Sequence, residues 1–257
     1  MNGEVFGDYS AYYDLIYRDK DYRAEVDYVA RTLRGAGPHV RTVLEFGSGT
    51  GRHGRLLALD GFRVLGVERS KSMLSRARAV SALPTNTEGS FECQLGDLRS
   101  VKLDRTCDAV IALFHVISYQ TRDEDLADAF RNAATHLSSA GVFLFDVWHG
   151  PAVVAQGLST REVRIEDEAL RLTRLCQPVL DPSSKTVAVR YTLSVEDKVT
   201  GDSSSVQEEH RLRYFFPEEI TAMARQAGFE IERCEEFLTA KAASDDTWGV
   251  AYLLRKS

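Results

Sequence analysis

Apolar positions along the chain change their spacing several times, and the changes lay out its elements. Over residues 9–33 the spacing is helical with a polar break at 18–21, beyond which Tyr22, Val26, Val29, Ala30 and Leu33 share one face. Gly35-Ala-Gly-Pro38 closes this helix. Short apolar runs then alternate with amphipathic segments. Strands are predicted at 40–46, 62–67, 91–95, 109–114 and 141–147. Helices are predicted at 53–59, behind an N-cap at Ser70 with Met73, Leu74 and Ala77 turned inward, and at 123–137. Strands alternating with helices at this spacing give βαβ units, right-handed crossovers and a parallel sheet covered on both faces.

After Trp148 the period becomes two. In TVAVRYTLSV (186–195), Val187, Val189, Tyr191, Leu193 and Val195 share a face, and His210, Leu212 and Tyr214 alternate again. Residues 161–165 and 170–175 are weaker strand candidates, and DPSSK (181–185) and TGDSSS (200–205) are turn signals. About 160–215 is therefore expected to be an antiparallel insertion in an α/β domain that spans 1–257, with its core at 35–150 and 216–257. A helix at 217–226 and two strands at 229–237 and 248–254, forming an antiparallel edge, close the chain.

At 257 residues with 44% hydrophobic and 27% charged residues, the chain has the composition of a globular domain with a sizeable core. Its formal charge of −6 argues against a general affinity for nucleic-acid backbones. Cys93, Cys107, Cys176 and Cys234 form no C-x-x-C pair, so metal-ligand spacing is absent and no disulfide framework is expected. MNGEVFGDYSAYYD lacks a basic-then-apolar pattern and no apolar run approaches membrane-spanning length, so a cytoplasmic location with no membrane partner is expected.

The chemistry begins at VLEFGSGTGRHG (43–54), where two glycine patterns are nested. Gly49, Gly51 and Gly54 give the dinucleotide spacing Gly-x-Gly-x-x-Gly, while Glu45, Gly47, Gly49 and Gly51 give Glu-x-Gly-x-Gly-x-Gly, a loop that surrounds S-adenosylmethionine. Glu68 ends the second strand, 17 residues after Gly51, where a carboxylate accepts from both ribose hydroxyls of either cofactor. Asp97 in LGDLRS (95–100) ends the third strand, where it suits the adenine exocyclic amine. Glu45, close to where a ligand ammonium would lie, repels a pyrophosphate and favours a cation. The antiparallel two-strand finish is also unlike a short-chain dehydrogenase. The S-adenosylmethionine phase is favoured, with an NAD-dependent oxidoreductase the remote alternative.

Glu45-Phe-Gly-Ser-Gly-Thr-Gly51, Glu68, Gly96-Asp97-Leu98 and the closing hairpin resemble class I S-adenosylmethionine-dependent methyltransferases over nearly all of the chain outside the insertion. The resemblance implies a Rossmann-like seven-stranded α/β sheet with one reversed strand and the cofactor across the strands' carboxyl ends. It assigns the cofactor to Glu45, Gly47, Ser48, Gly49, Gly51, Glu68 and Arg69, with the adenine between Met73 and the Leu98 side, Asp97 at its amine and Phe114 nearby.

The N-terminal YSAYYDLIYRDKDY resembles the lid (1–34) of sugar N-methyltransferases of the desosamine and mycaminose type. That resemblance assigns Tyr13 and Tyr22 to the cofactor and Tyr9 to the active site; Tyr12 and Tyr17 are expected only on an amphipathic helix face. LFHVISY (113–119) matches a segment of the same enzymes, which makes Tyr119 and His115 the catalytic candidates, within reach of the transferred methyl. Trp148 and His149 are candidates for the acceptor wall and Arg211 and Arg213 for a nucleotide-sugar diphosphate. The insertion is expected to cover the acceptor pocket, to form a homodimer contact, or both. The resulting expectation is N-methylation of a nucleotide-linked amino sugar. An O-methyltransferase, with His115 or Tyr119 as base, is the nearest rival; a non-catalytic S-adenosylmethionine-binding protein is a rival of another class.

Overall fold

The computed structural model describes residues 6–80 and 88–257; residues 1–5 of the expected lid lie outside these. A 3-10 turn at Asp8–Tyr12 leads into α1 (Tyr13–Ile16), and after the foreseen polar break comes α2 (Tyr22–Ala36). The core continues as β1 (Thr42–Phe46), α3 (Arg52–Leu59), β2 (Arg63–Glu68), α4 (Lys71–Ala79), β3 (Ser90–Leu95) and β4 (Cys107–Ala112). A 3-10 turn at Val116–Tyr119 precedes α5 (Asp123–His136), β5 (Leu137–Trp148) and α6 (Gly150–Gln156). Then come β6 (Arg161–Glu166), β7 (Leu170–Asp181), β8 (Thr186–Asp197), β9 (Ser203–Arg213), α7 (Pro217–Gln226), β10 (Phe229–Glu236) and β11 (Gly249–Lys256).

Seven strands in the order β10-β11-β5-β4-β1-β2-β3 make one sheet, parallel except that β11 runs against both neighbours, as expected of the class I methyltransferase fold. Successive side chains of a strand point to opposite faces, so this sheet feeds two cores. Leu44 and Phe46 of β1 join Val110, Ala112, Phe143 and Phe145 on the face covered by α5 and α7. Val43 joins Ala109, Ile111, Val142 and Leu144 on the face covered by α2 and α3. With both faces buried the strands read as continuous apolar runs, which is why they were legible. Truncating fully buried Phe143 to Ala is expected to cost about 3–5 kcal/mol.

β6–β9 form a separate four-stranded antiparallel sheet at the place expected for the insertion. Its alternating apolar face is covered within the chain. Leu193 and Val195 pack with Tyr9, Ile165 and Leu172, tying the sheet to the lid, while Val187 and Val189 pack with Val153, Leu212 and Tyr214.

Three departures from the sequence reading bear on the site and its surroundings. β4 stops at Ala112 and not 114, because Phe114 and His115 take left-handed φ values of 63° and 62° and turn the chain into the Val116–Tyr119 turn. β5 starts at Leu137, directly after α5. The helix α6, GPAVVAQ, was not foreseen; Pro151 suits its first turn, but seven residues are too few for helical periodicity to show. Among the described residues no helix is long and apolar enough to cross a membrane.

Candidate active site

The carboxyl ends of β1, β2, β4 and β5 open on a cavity of about 380 Å³, roofed by lid tyrosines and walled at its far end by β8 and β9. At one end, the loop after β1 bends on left-handed glycines. A Cβ at Gly47 (φ 66°) would stand 2.6 Å from Val116 Cγ2, whereas at Gly49 (φ 55°) it would meet nothing within 4 Å. Gly49 thus leaves a cradle beside the cavity. The buried Ser48 hydroxyl, also on the cavity wall, has no partner among the described residues.

Glu68 is aimed by the backbone. The Gly49 amide donates to Oε2 at 2.8 Å and the Ser70 amide to Oε1 at 2.7 Å, while burial pushes its carboxyl above the ordinary value against those amides. Each oxygen keeps a second lone pair, as an acceptor for a diol requires. Asp97 is gripped by Arg99, with Nε to Oδ1 at 2.9 Å and Nη2 to Oδ2 at 2.6 Å, and these bonds hold its carboxyl below the ordinary value. Met73 and Leu98 also line this end. Two carboxylates, an open glycine cradle, an unmet hydroxyl and an apolar slot fit an adenosine-type group.

The lid is fastened to the glycine loop. The Asp14 carboxylate accepts from Thr50 Oγ1 and from Arg52 Nε, both at 3.0 Å. Tyr22 lies 4.9 Å from the His53 ring. His53 Nε2 is 2.6 Å from Glu25 Oε2, which also pairs with Lys20. The Lys20 ammonium sits over the Tyr22 and Phe114 rings at 4.3 and 4.4 Å.

At the other end two histidine pairs face the cavity. The His115 amide donates to Asp146 Oδ2 at 3.1 Å, and His115 Nδ1 lies 2.7 Å from the same oxygen, on a carboxylate buried in β5. Tyr119 Oη and His210 Nδ1 are 2.9 Å apart. Trp148, Trp248, Tyr191 and Leu212 complete the wall.

Tyr13, Tyr22, Gly47, Ser48, Gly49, Glu68, Arg69, Met73, Asp97, Leu98, Phe114, His115, Tyr119 and Trp148 therefore come together on one cavity. Six candidates stand off it. Glu45 projects behind the loop against Gly54, where burial and then the charge of Glu68 push its carboxyl up to about 8. Gly51 caps α3 and faces Phe91. Tyr9 is buried under the insertion, its hydroxyl accepting from Arg174 at 3.3 Å. His149 is buried with Nδ1 3.1 Å from the Thr247 carbonyl. Arg211 is exposed beside Glu209, and Arg213 is bonded to Asp123 and Glu219. Strand alternation explains the arginines: His210 and Leu212 line the cavity, so Arg211 and Arg213 point away.

Sequence reasoning missed Phe6, Tyr17, Arg52, His53, Tyr191, His210, Leu212 and Trp248 on the wall, and Arg99 and Asp146 behind it. The alternation of His210 with Leu212 and Tyr214 was the available signal for one of them.

Residues 43–141 match the pattern of a methyltransferase domain. The chain is 29% identical over 230 residues to the dTDP-3-amino-3,4,6-trideoxy-alpha-D-glucopyranose N,N-dimethyltransferase of Streptomyces venezuelae, spanning 89% of this chain and 92% of that one. In structure it is similar to the sugar N-methyltransferase KedS8 of Streptoalloteichus (TM-score 0.76, 26% identity, 95% and 93% covered). It is similar too to SAM-bound CalS10, an amino pentose methyltransferase of Micromonospora echinaspora (TM-score 0.75, 23% identity, 100% of each chain).

Proposed function

We infer that this chain, an S-adenosylmethionine-dependent methyltransferase as its loop motifs led us to expect, transfers the methyl group to the nitrogen of a nucleotide-linked amino sugar. The observation that carries the reading is the 29% identity to a dTDP-amino-sugar N,N-dimethyltransferase, which runs over 89% of the chain. The fold and the cavity supply what such a reaction asks of the protein.

The cofactor brings a methyl carbon already activated on a sulfonium. Glu68 would hold its ribose diol, Asp97 its adenine amine, and Met73 and Leu98 the faces of the base, as the cavity wall arranges them. Tyr13, Tyr22 and Phe114 would close over the methionine portion, held by the Asp14–Arg52 contact. Trp148, Trp248 and Tyr191 would exclude water and aim the acceptor, and positioning in a near-attack geometry supplies most of the rate. An amine that arrives as ammonium must give up one proton before its lone pair can attack; Tyr119 and His115 are the groups at hand.

The 2.7 Å approach of His115 Nδ1 to buried Asp146 Oδ2 also favours a second reading, because an imidazole beside a carboxylate is the kind of base that a hydroxyl acceptor needs. We further propose one methyltransferase domain over 1–257, a cytoplasmic homodimer, and no nucleic-acid or membrane partner. Any diphosphate contact lies elsewhere than Arg211 and Arg213, and a dimer would use a face other than the apolar side of β8, which the lid and α6 occupy.

The test is turnover of labelled donor with matched acceptors: a nucleotide-linked amino sugar, the same free amino sugar, and the corresponding hydroxy sugar. Turnover of the amine, best when nucleotide-linked, supports the reading. Turnover of the hydroxy sugar alone transfers the role to His115 as base for O-methylation.

A further inference from the structure

Glu208 of β9 stands at the meeting of three elements. Its Oε2 accepts from the Phe6 amide at 3.0 Å and its Oε1 from the Tyr9 amide at 3.2 Å, so one carboxylate holds two backbone donors of the lid. The same Oε2 lies 3.0 Å from His210 Nε2, and His210 Nδ1 lies 2.9 Å from Tyr119 Oη, on the cavity wall.

These contacts constrain where the protons sit when the imidazole is neutral. Burial works against its charge, but the His210 bond and the two amides outweigh it and hold the Glu208 carboxyl below the ordinary value, so it is ionised at neutral pH. His210 Nε2 must then be the N–H donor, and in a neutral imidazole Nδ1 is the acceptor. Tyr119 therefore spends its hydroxyl hydrogen on Nδ1, which turns its oxygen lone pairs toward the cavity. Burial among aromatic rings holds the Tyr119 phenol far above its ordinary value, so it passes a proton on and does not store a charge. The other groups facing His210 are Tyr191 of β8, with its ring at 5.0 Å, and Tyr9 of the lid, with its ring at 5.9 Å and its hydroxyl held by Arg174 of β7.

We propose that Glu208 and His210 are positioning residues that make Tyr119 the proton acceptor for the bound ammonium, with the same carboxylate fastening Phe6 and Tyr9 beside the cavity. The inference rests on the amine reading above. In the step, the ammonium N–H passes its proton to Tyr119 Oη as the phenol's own proton moves to His210 Nδ1, leaving an imidazolium paired with Glu208. The freed nitrogen lone pair forms the N–C bond, the C–S bond breaks, and its electron pair stays on sulfur. The methylated product is again an ammonium, so a second methyl would need a second proton transfer by the same route.

The experiment uses the full chain, uniformly nitrogen-15 labelled at its six histidines, with His210 assigned by loss of its signals in His210→Gln. The wild type is expected to show the Nε2–H tautomer. Glu208→Gln, which places an amide N–H₂ among donors, is expected to populate the Nδ1–H form and speed hydrogen exchange at Phe6 and Tyr9. In the companion pH–rate profiles on the amino sugar, Tyr119→Phe, His210→Gln and Glu208→Gln should each lose about 10–100-fold at pH 7 and recover toward wild type as pH rises and the free amine deprotonates itself. An Nδ1–H tautomer in the wild type, or a loss equal at every pH, overturns the proposal. A wild type that shows the Nε2–H tautomer but methylates no amine overturns the amine reading instead, since the tautomer is read with no acceptor present.

Discussion

Replacing Glu68 by Gln changes one atom type in the cofactor end and separates its two duties. In the wild type both oxygens accept from backbone amides, at 2.8 and 2.7 Å, and both keep a lone pair, which the proposed assignment gives to the ribose diol. In Glu68→Gln one oxygen becomes an N–H₂ group that faces either the Gly49 or the Ser70 amide, so one of these donors loses its partner and one ribose hydroxyl loses a charged acceptor. Hydrogen bonds to charged groups contribute roughly 1.5–3 kcal/mol, and removal of charge from the surviving bond adds to the loss. At about 1.4 kcal/mol per tenfold, the dissociation constant for S-adenosylmethionine should rise about 10–100-fold. The unmet amide should lower the unliganded Tm by several degrees, at about 2–4 °C per kcal/mol for a chain of this size. Calorimetry with the donor and with a donor lacking a ribose hydroxyl is the assay. The donor lacking the hydroxyl that faced the replaced oxygen should bind the wild type much more weakly than the normal donor, and the variant should hardly distinguish the two, because that hydroxyl's partner is already gone. Wild-type affinity in the variant, or equal discrimination by both proteins, would refute the assignment of the diol to Glu68.

Three further outcomes follow from other parts of the structure. Glu45 has its carboxyl pushed up to about 8 in the fold from an ordinary 4.5, so between those values the folded protein keeps a proton that the unfolded chain has released. Stability therefore falls as pH rises through that window, and Glu45→Gln should raise the Tm at pH 8 while changing it little at pH 4.5; the reverse trend in a pH series of thermal scans would contradict the buried placement. Asp14→Ala removes the bonds to Thr50 and Arg52 and should weaken donor binding by roughly 0.5–1.5 kcal/mol, about 2–10-fold, with no change in acceptor KM at saturating donor. Arg213→Ala should lower stability by roughly 1–3 kcal/mol through the loss of bonds to Asp123 and Glu219 and leave acceptor KM unchanged, whereas a KM rise would return Arg213 to the substrate.

That Gly47, Gly49, Glu68 and Asp97 gather on one cavity was legible in the sequence because their placement is local. Gly47 and Gly49 follow one strand, Glu68 ends the next and Asp97 the third, so each position could be read from its own strand. The acceptor end is assembled from distant segments. His210 meets Tyr119 across 91 positions and Glu208 meets Phe6 across 202, and no periodicity in either segment announces its partner. Arg211 and Arg213 were misplaced because charge was read without strand phase, although the alternation of His210 with Leu212 already set that phase. Glu45 shows the same effect at the cofactor end: alternation along β1 turns it away from the loop's open side. The fold came through more fully, since paired cores make long apolar strands. Its misses, at α6 and at the left-handed Phe114–His115 bend, are short segments decided by tertiary contacts.

The central claim is that the methyl group goes to nitrogen. The direct measurement is the NMR spectrum of the product formed from a methyl-labelled donor and a nucleotide-linked amino sugar that carries both a free amine and a free hydroxyl. The account predicts a labelled methyl coupled to the amine nitrogen and none on oxygen. A labelled methyl ether beside an untouched amine would contradict it.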